Sequence, residues 1–259
     1  MWFDEIMDDC KQALVTANKY KGIFLPILLN LVLAVGISIF MFISMFSILM
    51  KYRYAIAYMF RDYYSFMEIL PTLLGISLIL YLIALIGYSI IEVGSINMYK
   101  AALNDTKPSF SHFIEGIKKY LLKVILGKVF LNLLSLLLSP ILLVLFLLYF
   151  VIAGTLTGGW AILFLSAFIL VYFSTWVSII VIEGTSPFKA IGKSIKLGRK
   201  YFKGLFIILL ATTLLTSYSV SILGIFAAIF VGWFMAGIVS TCFKLVLMLI
   251  YYRNKENIE

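Results

Sequence analysis

Residues 23–49 read IFLPILLNLVLAVGISIFMFISMFSIL, with no charged side chain. Bilayer hydrocarbon is about 30 Å thick, and a helix needs roughly 20 apolar residues to cross it. In lipid every backbone N–H and C=O must be satisfied within the protein, which leaves helix as the state for such a run. The other spanning solution, a barrel, needs roughly 10-residue segments of alternating polarity, and none is found here. The expected class is therefore all-α, a polytopic transmembrane helical bundle.

Six spans are expected, at about 23–49, 69–93, 122–152, 160–182, 205–224 and 231–252. The last two share one apolar stretch, so their turn near Gly224–Gly232 has the weakest signal. Composition agrees with the class. Mean hydropathy is +1.09 and charged residues make up 13%, where soluble domains carry about 25%. The acids Asp4, Glu5, Asp8 and Asp9 precede the first run, which is long and lacks a clear cleavage site, so it reads as a span and not a signal peptide. The two cysteines, Cys10 and Cys242, are far apart and suggest neither a disulfide framework nor a metal site.

Orientation follows from the basic residues, which resist transfer across the bilayer. The N-terminus, the 94–121 loop, the 184–204 loop and the C-terminus would share the cytoplasmic side. Of 21 Lys and Arg, only Lys51, Arg53 and Arg61 fall on the other side, leaving 18. The 50–68 loop is rich in Tyr and Phe, as an outer aromatic belt would be. A net charge of +9 then reflects loops facing an anionic inner leaflet, not nucleic acid.

The chain also suggests an internal repeat. KQALVTANKYKGIFLPILL (12–29), FSHFIEGIKKYLLKVIL (110–126) and FKAIGKSIKLGRKYFKGLFIILL (188–210) each carry a Lys-Tyr pair just before a span: Lys19-Tyr20, Lys119-Tyr120 and Lys200-Tyr201. IIEVG (90–94) and VIEGT (181–185) match at the inner ends of spans two and four. One integral membrane domain is expected, made of three hairpin units at about 1–93, 94–183 and 184–259, each led in by an amphipathic helix. The plainer account is that any membrane hairpin needs basic and aromatic residues where it enters the bilayer.

Lys189, Lys193, Lys196, Lys200 and Lys203 fall at steps of 4, 3, 4 and 3, a single helical face. Phe188, Ile191, Ile195 and Phe202 supply apolar surface away from it, with Pro187 suited to the first turn and Ser186 to the cap. Such a helix would rest in the inner interface with its lysines toward lipid headgroups. It would either recognise lipid or a partner, or simply set topology and anchor the chain, which is the plainer reading.

Glu92 and Glu183 are the acids at span ends, with Lys128 and Lys244 inside spans as candidate partners. Ionisable residues at such depth point to function by default. One reading is a buried Glu/Lys cluster on an ion or substrate path. The plainer one is pairing with loop lysines at the inner interface. Asn30, Asn132 and Thr213 fall 10, 12 and 12 residues after the tyrosines of their units, hence at similar depth. With Thr212, Thr216, Ser217, Ser135 and Ser139 they either line a polar site or hydrogen-bond between helices. Pro26 and Pro140 are expected to bend or end their helices.

Catalysis has little support. The single histidine, His112, reads as a solvated loop residue, and there is no nucleophile elbow, H-E-x-x-H or P-loop. No metal or cofactor is expected.

IEVGSINMYKAALNDTKPSFSHFIEGIKKY (91–120) and VIEGTSPFKAIGKSIKLGRKYFKGLF (181–206) resemble segments of a poorly characterised group of bacterial six-span proteins. In that group a Glu-Gly ending a span is followed by a helix rich in small residues and lysine. It includes the membrane domain fused to some glycerophosphodiester phosphodiesterases. The phosphodiesterase domain, with its metal-binding acids and histidines, has no counterpart here. The resemblance implies an architecture and no enzymatic activity.

The leading expectation is a non-enzymatic bacterial inner-membrane protein with an envelope-related role, binding lipid of the anionic inner leaflet or assisting a partner membrane protein. The alternative is a small transporter or permease subunit, served by an ATP-binding partner, with a path lined by Asn30, Asn132, Thr213 and Glu183.

Overall fold

A computed structural model describes residues 2–54, 63–222 and 233–257. The elements are α1 (Trp2–Lys19), a 3-10 turn (Lys21–Phe24), α2 (Leu25–Lys51), α3 (Tyr63–Leu103), α4 (Phe110–Phe173), α5 (Trp176–Glu183), α6 (Pro187–Lys200), α7 (Phe202–Ile222), α8 (Trp233–Asn254) and a closing 3-10 turn (Lys255–Asn257). No strand occurs among the described residues. Among the described residues four segments are long and apolar enough to cross a membrane: Lys21–Lys51, Phe66–Leu103, Phe110–Pro140 and Phe234–Asn254. Ala167–Glu183 and Phe202–Thr212 are apolar but shorter. The turn near Gly224–Gly232 and the middle of the aromatic 50–68 loop, Arg61 included, lie outside the described residues.

The third and fourth expected spans are not separated by a turn at 153–159. The backbone is helical throughout, and α4 runs 64 residues, longer than one crossing needs. The stretch AGTLTGG suggests a loop, but glycine only lowers helix propensity by about 1 kcal/mol and does not remove a backbone donor. The break falls instead at Ser174–Thr175, which splits the expected fourth span between α4 and α5. Pro140 sits inside α4 without ending it. Pro26 occupies the first turn of α2, where a missing N–H costs nothing.

The chain forms two compact units, Leu28–Ile91 on the one hand and Met1–Ile27 with Glu92–Glu259 on the other. In the smaller unit α2 and α3 run antiparallel. Leu33 meets Gly87, and farther along Tyr52 bonds Thr72 at 2.9 Å between hydroxyls. Ile48, Tyr52 and Ile69 form its small core. Most of its large apolar side chains, such as Val32, Phe42 and Leu74, face outward, as suits a surface solvated by lipid.

The larger unit holds the main core. Ile6, Ala13 and Ala17 of α1 join Val93 and Ile96 of α3, Tyr120 and Val124 of α4, and most of α5. Leu197 of α6, Leu205 and Leu209 of α7, and Leu245–Tyr251 of α8 complete it.

Two of the three Lys-Tyr positions break the helix. α1 stops at Lys19 and α6 at Lys200, and a new helix starts within one or two residues. Tyr120 lies inside continuous α4 instead. In all three pairs the lysine sits over the ring of its tyrosine, at 5.0, 5.4 and 5.6 Å from the centroid. Lys51–Tyr52 and Arg53–Tyr54 do the same, so this contact is not peculiar to the repeated segments.

Small residues let these helices approach closely. A methyl group at Gly127 would fall 2.4 Å from the Trp176 ring, and one at Gly198 would fall 2.9 Å from the Val171 carbonyl oxygen and 3.1 Å from Tyr172 Cα. The contacts at Gly198 include backbone atoms, which cannot swing away. Gly198→Ala is therefore expected to destabilise the chain by about 1–3 kcal/mol through overpacking, measured by thermal unfolding in mild detergent. Gly192, on the same helix, has open space around it. Gly192→Ala should be neutral or stabilising by up to about 1 kcal/mol, and equal losses at both sites would refute the packing account.

Candidate functional site

The larger unit draws its charges to the C-terminal end of α5. A helix end leaves carbonyls without intrahelical partners and carries partial negative charge. Here Gly184 takes the left-handed conformation (φ 71°), and its N–H bonds the Ile180 carbonyl at 2.7 Å, a glycine-capped end. Lys100, in the last turn of α3, donates to the carbonyls of Val181 (2.9 Å) and Ile182 (3.1 Å). Lys123 of α4 donates to the Gly184 carbonyl. Lys193 of α6 reaches both oxygens of Glu183, at 3.0 and 2.9 Å. The hydroxyl of fully buried Tyr251, from α8, donates to Glu183 Oε1. Three ammonium groups and a phenol thus join α3, α4, α6 and α8 at one point.

That arrangement corrects the lysine row. Lys189, Lys196, Lys200 and Lys203 are exposed, but Lys193 is buried and paired with Glu183. At about 100° per residue Lys193 lies on the flank of the row, and that flank turns toward the protein. The buried face of α6 consists of Ala190, Ile191, Ser194, Leu197 and Gly198 beside Lys193. Of the apolar side chains expected in the acyl boundary, Phe188 is exposed, Ile195 half-buried and Ile191 buried. Ser186 and Pro187 occupy the cap and first position as expected. Ser194 bonds the Thr175 hydroxyl at 2.8 Å and the Tyr172 carbonyl at 2.7 Å, which ties α6 to the break between α4 and α5.

Glu92 pairs with a different lysine. Its Oε2 lies 2.7 Å from Lys128 Nζ, with both side chains about one-quarter exposed. Lys244 of α8 also attracts the Glu92 carboxylate. The polar residues of matched depth belong to different units. Asn30 belongs to the smaller unit and is half-buried, whereas Asn132 belongs to the larger and is exposed. The side chain of Thr213 lies outside those described, as do those of Thr216 and Ser217. Thr212 and Ser139 donate to carbonyls of their own helices, Ile208 (2.8 Å) and Leu136 (2.8 Å).

Sequence reasoning missed contacts at three places. His112 is no solvated loop residue: its Nδ1 accepts from the Ser109 backbone N–H at 3.3 Å in the first turn of α4. Its carbonyl accepts from Asn97 at 2.7 Å. Tyr201 donates its hydroxyl to Asn254, which is buried. Asp9 is buried too and meets Arg253 at 2.6 Å, while the same guanidinium reaches the Glu5 carbonyl at 3.1 Å. Burial pushes the Asp9 carboxyl up to about 6; Arg253 opposes this, and Glu5 and Asp8 add to it.

Comparison with protein-family models, curated proteins and solved structures finds no match. The functional reading rests on the chemistry above. Lys100, Lys123, Lys193 and Tyr251 each find an acceptor at the α5 end, so the site can hold segments together, while the buried Thr185 hydroxyl beside them has no hydrogen-bond partner. Among the described residues no group of three or more His, Cys, Asp and Glu is placed to hold a metal ion.

Proposed function

We propose that the chain is a non-enzymatic bacterial inner-membrane protein, with both termini cytoplasmic, whose basic inner face holds anionic lipid or a partner membrane protein. The observation that carries this reading is the division of labour on α6. One face is spent on packing against α4 and α5, while Lys189, Lys196, Lys200 and Lys203 remain exposed with Arg199. A row used only to pack the fold would have no need of this outward face. The segments assigned to one side of the membrane also pack together. α1, the end of α3, the start of α4, α6 and the end of α8 share one core, which favours a common cytoplasmic side. Six crossings and three lead-in helices derived from one unit are part of the same proposal.

Near an anionic surface each basic residue contributes roughly 1 kcal/mol. Reconstituted into mixed phosphatidylcholine–phosphatidylglycerol nanodiscs, the protein should prefer the anionic lipid, as read by brominated-lipid quenching. Changing Lys189, Lys196, Lys200 and Lys203 to Gln should erode that preference by roughly fivefold per charge at low salt. Equal affinity for the two lipids in the unmodified protein would sink the lipid reading.

A further inference from the structure

Two cavities lie along α1 and α7 of the larger unit. One is basic, about 300 Å³, and lined by Ile6, Arg199, Lys200, Tyr201 and Lys203 among others. The other is apolar, about 310 Å³, and lined by Cys10, Ala13, Leu14, Ile208, Thr212 and Cys242 among others. Both volumes fall at the small end of ligand pockets.

The same two helices pass from the first cavity to the second. On α1 the lining moves from Ile6 to Leu14, and on α7 from Lys203 to Thr212. At 1.5 Å per residue, Ile208 and Thr212 lie about 7–14 Å beyond Lys203. A cationic pocket followed by an apolar groove along one helix matches an amphiphile with an anionic head and a hydrocarbon tail. In the orientation proposed above, α7 enters the bilayer at Lys203, so the order also matches membrane depth. Leu14 and Val15 are strongly exposed on α1, a helix that otherwise carries many charges, so the groove continues onto an apolar rim.

We infer that these cavities form one binding site for an anionic phospholipid, with its phosphate held by Arg199, Lys200 and Lys203 and an acyl chain in the groove between α1, α7 and α8. This rests on the lipid reading but goes further, from a basic surface to a single built site. The site uses Arg199, Lys200 and Lys203, not Lys189 or Lys196, and its three cations favour a net-anionic lipid over a zwitterionic one.

The native cysteines supply the probe. Cys10 and Cys242 both line the groove as free thiols, so an acyl chain there shields them from alkylation. The delipidated protein in detergent micelles would be treated with N-ethylmaleimide, and labelling of each cysteine followed by mass spectrometry. Phosphatidylglycerol at about ten times its half-protecting level is expected to slow labelling roughly tenfold, and phosphatidylcholine at the same mole fraction far less. Arg199→Gln with Lys203→Gln should raise the half-protecting fraction of phosphatidylglycerol by more than roughly tenfold. Lys189→Gln with Lys196→Gln, on the exposed row but outside the pocket, should raise it far less.

Equal protection by both lipids, no protection by either, or equal loss in both double variants would overturn the site. So would protection that needs no lipid and grows with protein concentration, which would place a second copy of the chain in the groove. Protection by inorganic phosphate alone would show an anion acting from outside the groove and would also count against it. If anionic lipid is still preferred in nanodiscs while the cysteines stay unprotected, the site fails and the broader lipid reading stands. If that preference is absent as well, both fail.

Discussion

Lys193→Ala is expected to destabilise the folded chain by about 3–5 kcal/mol, the cost of leaving one member of a buried ion pair behind. The side chains of Lys193 and Glu183 are only 10% and 7% exposed, so water cannot replace the lost ammonium. Glu183 would keep the Tyr251 hydroxyl and a more distant attraction to Lys255, neither of which equals a direct cation. The reverse change should cost less. With Glu183→Gln, Tyr251 retains an acceptor, and Lys193, on the flank of the exposed row, can turn its flexible stem toward solvent. Lys193→Met with Glu183→Gln should then recover most of the loss, because neither member remains charged. Thermal or denaturant unfolding in mild detergent of the single and double variants gives the coupling directly. A Lys193→Ala variant within about 0.5 kcal/mol of the parent would show that the α5 end is not held by this pair.

The same residue shows how much of the site was legible in the sequence. A 4-3-4-3 spacing identifies the lysine face of α6, because helical periodicity is a property of the chain itself. Which flank of that face meets the protein depends on where α4 and α5 lie, and Lys193 therefore read as a fifth headgroup ligand. Lys100 and Lys123 were less visible still. Their acceptors are main-chain carbonyls of residues 181, 182 and 184, which no side-chain pattern marks. Tyr251, at the end of an apolar run, has the signature of a membrane-boundary aromatic and gave no hint of a partner 68 residues earlier. The helical class, in contrast, follows from run length and the need to satisfy backbone groups in lipid. The turn at 153–159 was misread because glycines and threonines permit a loop without requiring one. Among the described residues four segments are long and apolar enough to cross a membrane.

Stability is expected to fall as pH rises from about 4 to about 6, through one carboxyl on α1. Asp9 is raised from 3.8 to about 6, first by burial, with Glu5 and Asp8 adding repulsion and Arg253 opposing it. A carboxyl whose folded value lies above its unfolded one binds its proton more readily in the folded state. Its relative stabilisation is complete below about pH 4 and is lost as pH climbs through about 6. The full swing is about 3 kcal/mol. Asp9→Asn cannot ionise, so its unfolding free energy should be flatter across this window, and its advantage over the parent should grow with pH. Arg253→Gln should act oppositely. Without the guanidinium 2.6 Å away, the carboxylate is harder to ionise and the loss should deepen and extend above pH 6. Thermal unfolding in detergent at intervals from pH 4 to 8 separates the three proteins. Parallel profiles for the parent and Asp9→Asn would mean that α1 is seated against α8 without regard to this charge, and that the pH dependence arises elsewhere.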